Sequence, residues 1–246
     1  MNFKGFHIFS GSLLLASAVT LACAGAAKAG SIKSGQFVTG TQGDWGVGGG
    51  AAALLAADYN TVYASTNGVL IVGVENTTGQ FSMYFTSAGA VQSYLPATGI
   101  AGQLTATLVN PALTPAGIFG GDVVALMLNV DFNKAGLLGS TSTIPFGDLV
   151  LTNLPAFDGA LNGLTVEQFL AVANMCLGGG SCPDGLGNVA AITDDLNDSF
   201  TGGTVSTFAA SNLALPASVT PEPSSLLLFG TSLLALVPFR RKLFGR

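Results

Sequence analysis

The spacing of apolar residues predicts strands in the first half of the chain. Residues 69–74 and 81–85 are two mostly apolar runs on either side of the turn-forming residues 76–79, which is typical of a β-hairpin. Residues 104–109 have the composition of a further strand, ended by Asn110 and Pro111. Residues 144–152 are also expected to be extended.

Three later segments have the period of a helix with one apolar face. Their apolar positions are Val123, Leu126, Met127 and Val130; then Val166, Phe169, Leu170 and Ala173; then Val189, Ile192, Leu196 and Phe200. The middle segment also carries end signals, since Thr165 with Gln168 forms a capping box and Gly178 can end the helix. The chain is therefore expected to fold as a single α+β domain, with N-terminal strands including a hairpin and C-terminal helices.

The N-terminal segment has the pattern of an export signal. Lys4 precedes an apolar stretch over residues 8–22, and Ala27-Lys28-Ala29 supplies the small residues that signal peptidase recognises. The residues before Cys23 half-resemble a lipoprotein signal, but Thr20 stands where leucine is expected. We therefore predict a signal peptide over residues 1–29, cleaved by signal peptidase between Ala29 and Gly30.

The C-terminal segment combines three features in a fixed order. Pro221, Glu222 and Pro223 form a stiff, non-helical stretch, because each proline fixes its own φ and restrains the residue before it. Residues 224–239 are almost wholly apolar and would make about 24 Å of helix, short but sufficient for a membrane that thins locally. A basic cluster follows, and it should stay in the cytoplasm: Arg240, Arg241 and Lys242.

This C-terminal pattern resembles the PEP-CTERM sorting tail of Gram-negative bacteria, also known as the ice-binding protein C-terminal domain. The resemblance implies recognition by a membrane-embedded exosortase, cleavage near the Pro-Glu-Pro motif, and release to, or attachment at, the outer surface. Members of the family are linked to biofilm, so exopolysaccharide is a candidate partner. The match covers about a tenth of the chain and assigns no activity to the rest.

These signals divide the chain into four parts. They are a signal peptide at 1–29, an exported α+β domain at 30–212, a linker at 213–223 and a transmembrane helix with a basic tail at 224–246. The protein is expected in the inner membrane with its C-terminus in the cytoplasm before processing, and at the cell surface or outside the cell afterwards. The exported part is long enough for one hydrophobic core.

The charge of the exported part argues against nucleic acid as a partner. Residues 30–220 contain two basic side chains, Lys33 and Lys134, and no arginine, and their Asp and Glu residues outnumber these cations. Phosphate backbones are bound chiefly through clustered lysine and arginine. An acidic domain of this kind is therefore not expected to bind DNA or RNA.

The cysteine count predicts a disulfide. Once the signal peptide is removed, Cys176 and Cys182 remain, joined by a segment with three consecutive glycines. An even number of cysteines in an oxidising compartment favours a disulfide. A zinc site would need further Cys or His ligands, and the spacing is not that of a CxxC redox site.

The sequence offers little for catalysis. Its single histidine, His7, lies in the signal segment, which excludes histidine-based nucleophilic triads from the mature chain. The glycines at 48–50 are not followed by the lysine of a phosphate-binding loop. We therefore predict no enzymatic activity and no cofactor.

The predicted function is that of a non-enzymatic exported surface or matrix protein. The alternative is a carbohydrate- or calcium-binding surface module. The residues that could supply stacking faces for sugars are Trp45, Tyr59, Tyr63 and Tyr94. The acidic cluster that could bind calcium, although it lacks the EF-hand pattern, consists of Asp194, Asp195, Asn197 and Asp198. Three amides are expected to be buried or to cap turns: Asn129, Asn174 and Asn197.

Overall fold

The computed structural model describes residues 31–217, with the side chains of residues 156–158 excepted. In this part of the chain the α-helices are α1 (Gln42–Gly46), α2 (Gly50–Val62), α3 (Ala88–Tyr94), α4 (Gly117–Lys134), α5 (Val166–Leu177), α6 (Leu186–Asp198) and α7 (Thr207–Asn212). The strands are β1 (Leu70–Gly73), β2 (Ser82–Phe85), β3 (Leu108–Val109), β4 (Val150–Leu151) and β5 (Leu213–Ala214). Short 3-10 helices span Ala64–Thr66, Phe146–Asp148 and Ala156–Leu161. The mixture of helix and sheet confirms the predicted α+β class at this level.

The predicted hairpin is confirmed. β1 and β2 pair antiparallel, with Leu70 opposite Phe85 and Gly73 opposite Ser82. β3 lies parallel to β2 at the edge of this sheet. β4 and β5 form a second, antiparallel pair, so the folded part reaches Ala214, two residues into the segment predicted as linker.

α4 is the centre of the fold. It packs against α5, α6, α1 and β1, and most of its 18 residues are buried. A helix that is apolar on nearly all sides belongs in a core rather than on a surface. Gly121 permits the closest of these approaches, because a Cβ there would overlap the Gln42 side chain.

α5 has the boundaries predicted for it. The Thr165 hydroxyl accepts a hydrogen bond from the Gln168 backbone N–H at 3.1 Å, and the Gln168 side chain accepts one from the Thr165 N–H at 2.9 Å. The capping box is therefore formed, and Gly178 is the C-cap residue. The predicted apolar face of the helix is buried.

α6 follows the predicted pattern but ends earlier. The helix stops at Asp198, and Phe200 lies just beyond it, fully buried. The Phe200 ring packs against Phe37 at 5.2 Å and Phe146 at 6.0 Å between ring centroids. Phe200 therefore continues the apolar face of α6 into the core, although it lies in the turn after the helix.

The first half of the chain contains more helix than predicted. α2 occupies Gly50–Val62, where no helix was predicted. Its buried positions, Ala52, Leu55 and Tyr59, have helical spacing, but small alanines between them weaken the contrast with the exposed face. The prediction that this half consists mainly of strands was wrong for α1, α2 and α3.

β3 is shorter than the predicted strand over residues 104–109. The Leu104 N–H donates to the Leu177 carbonyl at 2.8 Å, so this residue bonds to the end of α5 and not to β2. Pairing with β2 begins at Leu108, which lies opposite Met83.

The first described residues are joined to the region after α6. The Gly35 N–H donates to the Gly203 carbonyl at 2.8 Å, and the Thr39 N–H donates to the Phe200 carbonyl at 3.2 Å. The Phe200 N–H in turn donates to the Thr39 hydroxyl at 3.0 Å. The first described residues are therefore held against the turn that follows α6.

Candidate functional site

The predicted disulfide is present between Cys176 and Cys182, whose Cα atoms lie 4.6 Å apart. The loop that it closes is bonded to the rest of the domain through its backbone. The Phe81 N–H donates to the Gly178 carbonyl at 2.9 Å. The disulfide therefore restrains a loop that docks against the start of β2.

Replacing both cysteines by alanine is expected to lower the free energy of unfolding by about 2 kcal/mol, because the crosslink restricts the unfolded chain over a short loop. Urea unfolding of the oxidised protein and of the double variant measures this difference. In excess reductant the wild-type protein and the variant should unfold at similar urea concentrations. Equal stability of the oxidised and reduced wild-type protein would contradict the prediction.

The residues predicted for export and sorting lie outside the described part of the chain. For the signal peptidase site they are Ala27, Ala29 and Gly30. For the sorting motif they are Pro221, Glu222, Pro223, Arg240, Arg241 and Lys242. Within residues 31–217 no helix combines the length and apolar character needed to cross a membrane, and the segment predicted to do so begins at Ser224.

The four aromatic residues considered for sugar stacking are buried. The exposed fraction is 0% for Trp45, 2% for Tyr59, 6% for Tyr63 and 2% for Tyr94. The Tyr59 hydroxyl, for example, accepts from the Leu70 N–H at 3.0 Å and donates to the Phe85 carbonyl at 2.5 Å. The prediction that these rings could form a sugar-stacking surface was wrong, because they belong to the core.

The acidic segment of α6 does not form a metal site in this structure. Asn197 is buried, and its side-chain amide donates to the Asp122 carbonyl at 3.0 Å. Among residues 31–217, no group of three or more His, Cys, Asp or Glu side chains is placed to hold a metal ion. The geometry therefore offers no support for the calcium alternative.

Two of the three predicted amides, Asn129 and Asn197, are buried, and Asn174 is half-buried. Asn129 makes four side-chain hydrogen bonds. Its Oδ1 accepts from the Gly40 N–H at 2.7 Å and from Trp45 Nε1 at 3.1 Å. Its Nδ2 donates to the Gly40 carbonyl at 2.8 Å and to Asn197 Oδ1 at 2.9 Å. All four hydrogen-bonding positions of this amide are therefore used in linking α4 to α1 and α6.

Asn174 has a comparable role at lower burial. Its Oδ1 accepts from the Gly73 N–H at 2.7 Å, and its Nδ2 donates to the Leu170 carbonyl at 3.0 Å. Asn174 thereby joins the end of β1 to α5.

Asp122 is a buried acid that the sequence pattern did not single out. It is 3% exposed and accepts a hydrogen bond from the Gln42 side chain, which also accepts from the Ala97 N–H at 2.9 Å. Burial raises the pKa of this carboxyl to about 7; the negative charges of Asp194 and Asp198 add to the rise, and the Gln42 hydrogen bond opposes it. A carboxyl in this position is half-protonated near neutral pH.

A groove of about 510 Å³ lies beside the second half of α4. One wall comprises Met127, Asp131 and Lys134 of α4 and its C-cap residue Ala135. The other wall runs from the end of α2 to β1 and comprises Thr61, Val62, Tyr63, Ser65, Thr66, Val69, Leu70 and Ile71. Concave sites with mostly apolar walls and a few polar groups are typical of small-molecule binding, and we take this groove as the candidate site.

Asp131 is the single carboxylate that lines this groove. The Tyr63 hydroxyl donates to its Oδ2 at 3.0 Å. Burial raises the pKa of Asp131 to about 6; Glu167 also raises it, while the Tyr63 hydrogen bond and Lys134 lower it. The pKa of the Tyr63 hydroxyl is well above its usual value, because of burial and the nearby Asp131 charge. At neutral pH the groove therefore presents a mostly ionised carboxylate held by a neutral tyrosine.

Lys134 supplies the cation at the rim of the groove. Its Nζ lies 3.3 Å from Glu167 Oε1, and both side chains are more than half exposed. Glu167 is not among the residues that line the groove. The lysine charge is therefore paired with a carboxylate of a residue that does not line the groove.

No family model, no curated protein and no solved structure matches this chain. The C-terminal resemblance to sorting tails accordingly stays a prediction from the sequence. The function of the groove and of the domain is therefore inferred from the fold and from the geometry of the described residues.

Proposed function

We propose that the chain is a non-enzymatic exported protein of the cell surface or extracellular matrix, with a C-terminal tail that serves as a sorting signal for an exosortase. The observation that carries this proposal is the Cys176–Cys182 disulfide in the described domain. Disulfides persist in oxidising compartments and are rare in the cytosol. The disulfide therefore supports export, which the N-terminal segment predicts independently.

The order of the tail features supports processing after export. The last described residue is Ala217, seven residues before Ser224, where the apolar segment begins after the Pro-Glu-Pro stretch. A linker this short would hold the domain next to the outer face of the inner membrane, with the basic cluster on the other side. The Pro-Glu-Pro stretch would then lie at the membrane surface, within reach of a membrane-embedded protease.

The test is the substitution Glu222→Ala. Export should remain intact, because the N-terminal signal is unchanged, but the protein should accumulate uncleaved in the inner membrane. Cell fractionation with mass spectrometry of both termini measures location and processing together. Deleting every residue after Thr220 should instead release a soluble domain into the periplasm.

The matched control is Glu75→Ala, which removes an exposed glutamate from the domain and leaves the tail unchanged. This variant should reach the same location as the wild-type protein. If the Glu222→Ala protein also arrived at the surface without its tail, the motif would not be a sorting signal, and residues 224–239 would act as a plain anchor.

A further inference from the structure

We propose that the groove beside the second half of α4 binds a primary ammonium group carried on a short apolar chain. The groove lies in the described domain, far in sequence from the sorting tail, and its walls are formed by α4 and by the segment that leads from α2 into β1. The proposal concerns a ligand of the domain and does not depend on how the protein is sorted.

Asp131 favours a cation. Its Oδ2 accepts a hydrogen bond from Tyr63, whereas Oδ1 has no hydrogen-bond donor in the described part of the chain. Oδ1 is also not among the buried unsatisfied atoms of the described residues, so it is accessible to solvent, and Asp131 is one of the residues that line the groove. A carboxylate oxygen with free lone pairs in a partly desolvated site is a strong acceptor for an N⁺–H donor.

Lys134 also lines the groove, but its ammonium group bonds to Glu167 instead of Asp131. Its ammonium group is directed at Glu167, at 3.3 Å, and this pair is close to neutral as a unit. A ligand cation at Asp131 would therefore meet three side chains, Asp131, Lys134 and Glu167, whose charges sum to minus one. An anionic ligand would have to compete with Glu167 for Lys134 and would be repelled by Asp131.

The walls favour an apolar chain behind the ammonium. Val62, Leu70, Ile71 and Met127 line the groove around the polar end. Aliphatic side chains gain about 0.8 kcal/mol for each ligand CH₂ removed from water. Methionine also adapts its shape to fill irregular gaps against such a chain.

The charges around Asp131 predict how binding depends on pH. Tyr63 from the end of α2, Lys134 from α4 and Glu167 from α5 are the titratable groups that act on it. Because an ammonium needs the ionised carboxylate and an alkylamine stays protonated, affinity should rise roughly tenfold between pH 5 and pH 7, as Asp131 ionises. A neutral ligand of the same shape should show no such rise.

The experiment uses the purified full chain in a mild detergent, with n-butylammonium as the probe. Titrations followed by saturation-transfer NMR give apparent dissociation constants for n-butylammonium, n-butanol and butyrate at pH 5 and pH 7. We expect n-butylammonium to bind at least tenfold more tightly than either other probe at pH 7. Nα-acetyl-lysine methylamide, with the same four-carbon ammonium arm, distinguishes a lysine side chain of a peptide from a free amine as the natural source.

Two variants and one control decide the role of the charges. Asp131→Asn keeps an acceptor for the Tyr63 hydroxyl and should weaken n-butylammonium at least tenfold. Lys134→Met removes an exposed positive charge and should strengthen n-butylammonium binding severalfold. Asp148→Asn removes an exposed carboxylate that does not line the groove, and it should leave binding unchanged.

Two outcomes would overturn the proposal. One is tighter binding of butyrate than of n-butylammonium together with a loss of binding in Lys134→Met, which would make the groove an anion site. The other is n-butylammonium binding that is equal in the wild-type protein and Asp131→Asn. If Asp131→Asn does not fold, the Lys134→Met variant decides alone. The proposal is then rejected if this variant binds n-butylammonium no more tightly than the wild-type protein does.

Discussion

Replacing Asn129 by alanine is expected to lower the free energy of unfolding by about 4 kcal/mol, because four partners lose their hydrogen bonds at once and each buried unpaired group costs about 1–3 kcal/mol. The partners are the N–H and carbonyl of Gly40, Nε1 of Trp45 and Oδ1 of Asn197. The amide itself is fully buried, so water does not replace it without opening the core. Such a loss is a large part of the 5–15 kcal/mol that stabilises a typical domain.

Chemical denaturation measures this loss, and the fluorescence of Trp45, the one tryptophan of the chain, reports the same neighbourhood. The matched control is Asn162→Ala. Asn162 is exposed and bonds to the backbone of Leu154, at 2.9 Å from its N–H and 3.3 Å from its carbonyl. Water can replace these bonds, so the control should cost about 1 kcal/mol. Similar losses for both variants would show that the Asn129 network contributes little.

Raising the pH from 4 to 7.5 is expected to destabilise the domain through Asp122. Its pKa is about 7 in the folded protein, compared with 3.8 as its ordinary value, because burial disfavours the charged form. Between these two values the unfolded chain releases the proton and the folded chain keeps it, so stability falls as the pH rises. The full shift corresponds to a loss on the order of 4 kcal/mol by neutral pH.

Asp122→Asn should remove most of this dependence, because asparagine stays neutral and still offers an oxygen to Gln42. At pH 4 the variant and the wild-type protein should have similar stability, whereas at pH 7.5 the variant should be the more stable by several kcal/mol. Urea unfolding across this pH range measures both curves, with Asp148→Asn as the exposed-carboxylate control. The raised pKa of Asp122 would be contradicted if the free energy of unfolding of the wild-type protein increased between pH 5 and pH 7 relative to that of Asp122→Asn. Asp131, whose pKa is raised to about 6, contributes a smaller loss of the same sign.

The elements that could be predicted from the sequence are those whose signals lie within the element. α5 carries its capping box and its apolar face in consecutive residues, and the β1–β2 hairpin carries its turn between two apolar runs. α2 was missed because its alanine-rich sequence has no strong contrast between its faces. β3 was overextended because Leu104 bonds to Leu177, a partner 73 residues away that no local pattern shows.

The candidate site was not predictable for the same reason. Tyr63 and Asp131 meet across 68 residues of sequence, and Gln42 meets Asp122 across 80. Tyrosine and tryptophan were considered as exposed stacking surfaces, but the core has enough neighbouring polar atoms to bury them with their hydrogen bonds satisfied. Only the long-range arrangement distinguishes an aromatic residue that binds a ligand from one that holds the core together.

The bonds between residues 35–39 and residues 200–203 determine when the domain can finish folding. If the chain is exported N-terminus first, as proposed, Thr39 reaches the far side of the membrane long before its partner Phe200. Contacts between distant residues form late, since the loop between them must close first. Under the proposed export, nearly all of the domain would have to cross before its first segment could fold, and until then that segment would be available to periplasmic chaperones or proteases.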